Sequence, residues 1–154
     1  MANRSKAKGS SFESQCVAYL RERLDDNGIE RRALHGNNDM GDVFGLHAHG
    51  FTGIIECKNH KSYGPSDIMK WQAQTVAERE NSGADFAVLL VHKAGVGRAT
   101  FGRNTAYLQV RDLEKVAGNV AERYPHDPFL DVWVRVPFET VCDLMLYEPI
   151  RPWL

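Results

Sequence analysis

The chain opens with apolar residues at helical spacing, which predict a first helix between Ser10 and Gly28. Ser10 is a favourable N-cap residue, and Gly28 is suited to end the helix. The polar and basic residues 1–8 that precede it predict a flexible arm. The apolar positions are Phe12, Cys16, Val17, Leu20 and Leu24.

The rest of the pattern alternates between strand-like and helical segments. Residues 85–93 form a nearly continuous apolar run, typical of a central strand that is buried on both faces. A helix is expected at 67–81, and the glycine-rich residues 94–104 predict a loop or hairpin. The other expected strands are 29–34, 42–46, 51–58, 106–110 and 131–136, and the other expected helices are 112–123 and 138–146.

This order of elements predicts an α/β domain with a central mixed sheet flanked by helices. The length of 154 residues suits a single domain. We expect a basic arm at 1–8, a core at 9–111, and an α/β extension at 112–154 that packs on the same domain.

Composition narrows the class of protein. With 43% hydrophobic and 25% charged residues, the chain is typical of a soluble globular protein, and no apolar run approaches the ~18 residues of a membrane span. The basic start is followed by no apolar signal segment, so we expect a cytoplasmic protein. Three cysteines without a C-x-x-C pair argue against a disulfide framework and against a cysteine zinc site.

The charge of the chain is unevenly distributed. The formal net charge is −1, but residues 1–111 carry an excess of Lys and Arg, and residues 112–154 an excess of Asp and Glu. Residues 92–111 contain four cations and no acid. Local basic loops of this kind are compatible with contacts to nucleic-acid phosphates, and equally with ordinary solvated loops.

The candidate chemistry lies in two strands. If residues 42–46 and 51–58 form an antiparallel hairpin with its turn centred on His49, Asp42 lies opposite Glu56, and Leu46 lies opposite Thr52. Lys58 then projects from the same face as Glu56, because strand side chains alternate between faces.

Two carboxylates placed opposite each other on a sheet repel unless a cation compensates them. Carboxylate oxygens suit Mg²⁺, or Mn²⁺ in its place, and Lys58 would then orient or deprotonate a water, or neutralise a phosphate. In the alternative, Asp42, Glu56 and Lys58 are solvated residues of an edge hairpin. A register shifted by one residue would also move Asp42 to the other face.

A family resemblance rests on these residues. Gly41-Asp42-Val43, followed by Ile54-Ile55-Glu56-Cys57-Lys58, resembles the signature of PD-(D/E)xK nucleases, with glycine in place of the proline. The upstream Lys8-Gly9-Ser10-Ser11-Phe12-Glu13 is similar to the K-G-x-x-F-E opening of archaeal and phage-type Holliday-junction resolvases. The resemblance covers about residues 6–93.

The resemblance implies a restriction-endonuclease-like fold and a metal-dependent endonuclease that hydrolyses DNA. It implies that Asp42, Glu56 and the backbone carbonyl of Cys57 bind the metal, that Lys58 handles the attacking water, and that Glu13 joins the site. In the alternative for Glu13, this residue forms a capping box with Ser10. No organic cofactor is needed for this chemistry.

The implied substrate is branched DNA, most specifically a four-way junction, whose two symmetric cuts predict a homodimer. If the protein is phage-encoded, its compartment is the host cytoplasm. Other nucleases of this superfamily, and a catalytically silent DNA-binding module of the same fold, are the alternatives. The candidate DNA-binding residues are Lys6, Lys8, Arg31, Arg32, Lys61, Arg98 and Arg103. Gln72, and also Gln74, are candidate helpers on the next helix.

Overall fold

The structure, a computed structural model, describes residues 4–33, 39–120 and 125–148, without the side chains of residues 4–7 and 10. Two 3₁₀ segments, Arg98–Arg103 and Pro128–Asp131, accompany the main elements. The helices are α1 (Arg4–Leu24), α2 (Pro65–Ser82), α3 (Val110–Ala117) and α4 (Phe138–Leu146). The strands are β1 (Glu30–Arg31), β2 (Val43–Ala48), β3 (Phe51–Lys58), β4 (Phe86–Val91), β5 (Thr105–Gln109) and β6 (Trp133–Pro137).

The described strands form one mixed sheet in the order β1-β2-β3-β4-β5-β6. Neighbouring strands are antiparallel except β3 and β4, which are parallel and connected by α2. The predicted α/β class, with a mixed sheet flanked by helices, is therefore confirmed.

The core lies on both faces of β4, which explains why this strand is apolar throughout. Phe86, Val88 and Leu90 belong to the larger cluster, whereas Leu89 and Val91 pack with Trp71 of α2. The larger cluster takes residues from α1 and from α4, so the C-terminal helix is part of the same core.

A buried ion pair connects α2 to α3. The Arg79 guanidinium donates to the Asp112 carboxylate at 2.7 Å and to the Gln109 side-chain oxygen at 3.0 Å. Asp112 is only 1% exposed. Burial raises the pKa of Asp112 to about 6, although Arg79 opposes this rise.

Helix α1 begins earlier than predicted. Residues 4–8, expected in a flexible arm, are helical, and Ser10 lies inside the helix instead of at its N-cap. The segment is rich in Arg, Lys and Ala, which favour helix, so the helix extends beyond the apolar stripe. Glu13 consequently does not occupy the third helical position, and the predicted capping box is wrong. Helix α1 also ends at Leu24, before Asp25 with its positive φ of 50°, and not at Gly28.

The β2–β3 hairpin differs from the predicted register near its turn. Its two turn residues are His49 and Gly50, so Leu46 pairs with Gly53 and not with Thr52. An irregularity between Val43 and Leu46 then shifts the register, and Val43 pairs with Ile55, in agreement with the predicted alignment at the far end. Asp42, immediately before β2, therefore remains beside the end of β3.

Gly45 makes this register shift possible. Its φ is +86°, and an added Cβ would lie 2.4 Å from the backbone oxygen of Gly28. Gly50 has nearly the same φ, +84°, with nothing within 4 Å of an added Cβ.

We expect Gly45→Ala to destabilise the fold far more than Gly50→Ala. A left-handed conformation costs an alanine about 1–2 kcal/mol at either position. Only at Gly45 does the collision with Gly28 add to this cost. We therefore expect the free energy of unfolding to fall by about 2 kcal/mol more in Gly45→Ala than in Gly50→Ala. Urea unfolding of the two variants checks the difference, and equal losses would contradict the role given to Gly45.

Among the described residues, no helix combines the length and the apolar character that crossing a membrane requires.

Candidate active site

A cavity of about 440 Å³ opens at the end of β3, where α1, α2 and the segment before β2 meet the sheet. Its walls contain acidic and basic side chains in close proximity. The lining residues are Lys8, Gly9, Glu13, Asp39, Asp42, Glu56, Cys57, Lys58, Asn59, His60, Lys61 and Gln74.

Strand β3 supplies two of the charged groups. Glu56 pairs with Leu89 of β4, whose side chain packs on Trp71, and so Glu56 faces α2. Glu56 is only 3% exposed, and its Oε1 lies 2.8 Å from the Lys58 Nζ. The two-residue spacing of Glu56 and Lys58 therefore brings them together on one face.

Asp42 reaches the same cavity from the segment before β2. Its backbone N–H donates to the Ile55 oxygen at 3.0 Å, and its carboxylate Oδ2 accepts from the Cys57 N–H at 2.8 Å. Asp42 and Glu56 both line the cavity, and repulsion by Asp42 contributes to the raised pKa of Glu56. The structure thus brings together Asp42, Glu56, Lys58 and the Cys57 main chain; a ligand role for the Cys57 carbonyl stays a prediction.

Glu13 joins these groups from α1. It lines the cavity, and its Oε2 accepts from the Arg31 Nε at 2.9 Å. Burial and repulsion by Asp42 raise the pKa of Glu13, while Arg31 opposes the rise.

Helix α2 contributes an acidic residue, Glu78, that is not among the candidates predicted from the sequence. Glu78 is 1% exposed, and neither of its carboxylate oxygens has a hydrogen-bond partner. Oxygen atoms of Asp39, Glu56 and Glu78 lie within 4.8 Å of one another. Glu78 lies seven residues after Trp71 and three after Thr75, both of which are buried. This helical spacing places Glu78 on the buried face of α2, and it was the signal in the sequence that could have identified the residue.

Gln74, and not Gln72, is the glutamine of α2 at the site. The Gln74 Nε2 donates to Glu56 Oε1 at 3.2 Å and to Asp39 Oδ2 at 3.5 Å. Gln72 does not line the cavity, because two residues along a helix change its direction by more than half a turn. Of the two candidate helpers, the structure therefore places Gln74 at the cavity and leaves Gln72 outside its lining.

The buried acids hold protons more tightly than exposed ones. Burial, followed by repulsion from Asp42, raises the pKa of Glu56, and burial likewise raises the pKa of Glu78 and of Asp42. Without a cation, this cluster is stabilised by protonation, since ionising every carboxyl group would bring several negative charges together.

Lys58 remains a cation in this setting. Burial lowers its pKa, but the adjacent Glu56 and Asp42 carboxylates outweigh burial, so the pKa lies above its ordinary value. Lys58 is thus suited to attract an anion or orient a water, and less suited to take up a proton.

The predicted DNA-binding cations are divided between different environments. Lys8 and Lys61 are exposed and line the cavity. Arg31 is paired with Glu13, and the Arg32 guanidinium lies 4.5 Å from the centre of the Phe44 ring.

Two of the remaining predicted cations do not line this cavity. Arg98 lies in a separate cavity beside Tyr19, and Arg103 in a further one with Lys93. The Lys6 side chain falls outside the described residues.

The acidic donors fit a divalent cation. Glu56 Oε2 and both Glu78 oxygens are buried without partners, and three carboxylates lie within reach of one ion. Oxygen-only donors of this kind suit a hard cation such as Mg²⁺ or Mn²⁺.

Comparison with known proteins adds no family assignment: no protein-family model matches the sequence, and a search of curated proteins finds no significant match.

Proposed function

We propose that this protein is a metal-dependent endonuclease that hydrolyses DNA phosphodiester bonds. The observation that supports the proposal best is the convergence of Asp42, Glu56 and Lys58 on one cavity, with the Lys58 Nζ 2.8 Å from Glu56 Oε1. Buried acids with raised pKa values and a protonated lysine in a cleft are typical of catalytic sites.

In this proposal, Asp42 and Glu56 hold Mg²⁺ or Mn²⁺, with the Cys57 carbonyl as a further donor. When bound, the cation polarises a phosphodiester oxygen and lowers the pKa of the attacking water. Glu78 and Asp39 supply additional carboxylates beside Glu56.

The remaining groups of the site orient the reacting groups or balance their charge. Lys58 faces the developing negative charge on the phosphate or orients the water, as its raised pKa favours. Glu13, held by Arg31, adds negative charge beside Asp42. Gln74 fixes the orientation of the Glu56 carboxylate through its hydrogen bond.

The resemblance to PD-(D/E)xK nucleases extends the proposal to a restriction-endonuclease-like fold and a Holliday-junction resolvase. The observed order of the first elements, a helix followed by strands, α2 and a parallel strand β4, supports this assignment. A resolvase introduces two symmetric cuts, so the proposal includes a homodimer.

Incubation of the protein with a synthetic four-way junction and Mg²⁺ or Mn²⁺ tests the proposal. We expect paired nicks at the junction, no cleavage in EDTA, and much slower cleavage of a linear duplex with the same sequence. Equal cleavage of both substrates would overturn the junction preference alone. No cleavage of junction, flap, duplex or single strand would overturn the nuclease assignment and favour a silent binding module.

A further inference from the structure

A second cavity, of about 390 Å³, lies where β4 ends, β5 begins and β6 ends, and it is strongly basic. Its charged lining residues are Lys93, Arg103 and Arg135, and none of its lining residues is acidic. All three cations are exposed, and within the described chain none of them belongs to an ion pair. The cavity therefore concentrates positive charge that the protein itself does not neutralise.

The three cations come from three different strands or strand ends. Lys93 follows β4, Arg103 precedes β5, and Arg135 lies within β6. Only the fold brings them together, because Arg135 is more than thirty residues from Arg103 in the sequence.

A buried asparagine fixes this arrangement. Asn104 is 1% exposed, and its Oδ1 accepts from the Lys93 N–H at 2.9 Å. Its backbone oxygen accepts from the Phe138 N–H at 2.8 Å, and its Nδ2 donates to the Phe101 oxygen at 3.0 Å. Asn104 thus connects the chain segments that carry the three cations, which reduces the entropic cost of ordering them around an anion.

The basic cavity and the candidate active site lie at the same end of the sheet, where β3 and β4 end and β5 begins. Lys58 pairs with Val91, Val91 pairs with Thr105, and Thr105 pairs with Pro137. Neighbouring strands are about 4.8 Å apart, so β5 and β6 lie about 10 and 14 Å from β3. At about 3.4 Å of axial rise per nucleotide, this separation corresponds to three or four nucleotides of one DNA strand.

We propose that Lys93, Arg103 and Arg135 bind a backbone phosphate of the nucleic acid, three to four nucleotides from the bond that is cut. This inference rests on the proposed nuclease function and gives a role to the C-terminal β6, which lies beyond the family resemblance. Arginine forks recognise phosphate oxygens in pairs, and the contact carries no base specificity.

The test is DNA binding by the double variant Arg103→Gln/Arg135→Gln, measured by fluorescence anisotropy of a labelled duplex in EDTA over a series of NaCl concentrations. The matched control is Arg23→Gln/Lys70→Gln, which removes the same charge from exposed positions outside the cavity. We expect roughly tenfold weaker binding for the first variant only, and a slope of log affinity against log salt that is smaller by about one.

Equal losses in both double variants would overturn the proposal, because they would show a general charge effect. Wild-type affinity and slope in Arg103→Gln/Arg135→Gln, or no DNA binding by the wild type, would overturn it as well. Since binding is measured without a divalent cation, the result does not depend on cleavage. If the variants show the expected binding differences but the wild type cuts no DNA, the phosphate site stands and the proposed nuclease activity is overturned.

Discussion

Asp42→Asn and Glu56→Gln are each expected to reduce cleavage of a four-way junction by at least about 10³-fold. Each substitution keeps the size of the side chain but removes a negative charge from the proposed cation site. We expect the folded state to persist. An amide oxygen in place of the Asp42 carboxylate can still accept from the Cys57 N–H, and a neutral amide in place of Glu56 adds nothing to the buried acidic charge. Single-turnover cleavage in Mn²⁺ and circular dichroism provide the measurements.

The matched control for these variants is Glu80→Gln. Glu80 is exposed on α2 and lies outside the cavity, so its loss removes one carboxylate without touching the site. We expect wild-type cleavage from this control. Cleavage by Asp42→Asn and Glu56→Gln at the wild-type rate would contradict the assignment of these carboxylates.

The second large effect is on the stability of the metal-free protein, which we expect to fall as the pH rises from 6 to 8. Burial raises the pKa of Glu78 to about 7 and that of Glu56 to about 10, from ordinary values of 4.5. The folded state therefore binds more protons than the unfolded state above pH 4.5 or so, and stability decreases as the pH rises through the folded pKa values.

Glu78→Gln should remove about one third of the loss between pH 6 and pH 8, because Glu56 contributes to the loss over the whole interval. The substitution should make the metal-free protein about 3 kcal/mol more stable at pH 8. Asp112, whose pKa is raised to about 6, causes a loss of stability mainly below pH 6, and it does so in both proteins. Mg²⁺ should stabilise the wild type more than the variant, because it compensates the same charge. Urea unfolding in EDTA and in Mg²⁺ checks this; a Glu78→Gln variant less stable than the wild type at pH 8 would contradict it.

The elements with strong periodicity could be predicted from the sequence. The bounds of β3 and of α4 agree with the expected ranges, because each has a clear apolar pattern and a defined break. The start of α1 could not be placed in this way, since helix-favouring polar residues extend it without any apolar signal.

The candidate site could be predicted only in part for a related reason. Strand alternation predicts that Asp42, Glu56 and Lys58 lie together. The predicted pairing was wrong near the turn, but the register shift between Val43 and Leu46, at Gly45, restores the predicted pairing beside Asp42. Glu78 was missed because a carboxylate on a buried helix face is an exception to the apolar pattern. Its proximity to Glu56 depends on how α2 crosses the sheet, which the sequence pattern does not specify.

The ion pair between Arg79 and Asp112 bears on how this protein can be shortened. Arg79 directly follows Glu78, and its buried partner lies one residue beyond position 111. A fragment that stopped at residue 111 would leave the guanidinium without its counter-ion and would also lose the strand bearing Arg135. The smallest autonomous unit of this protein therefore includes its C-terminal third, and attempts at a minimal catalytic fragment should trim elsewhere.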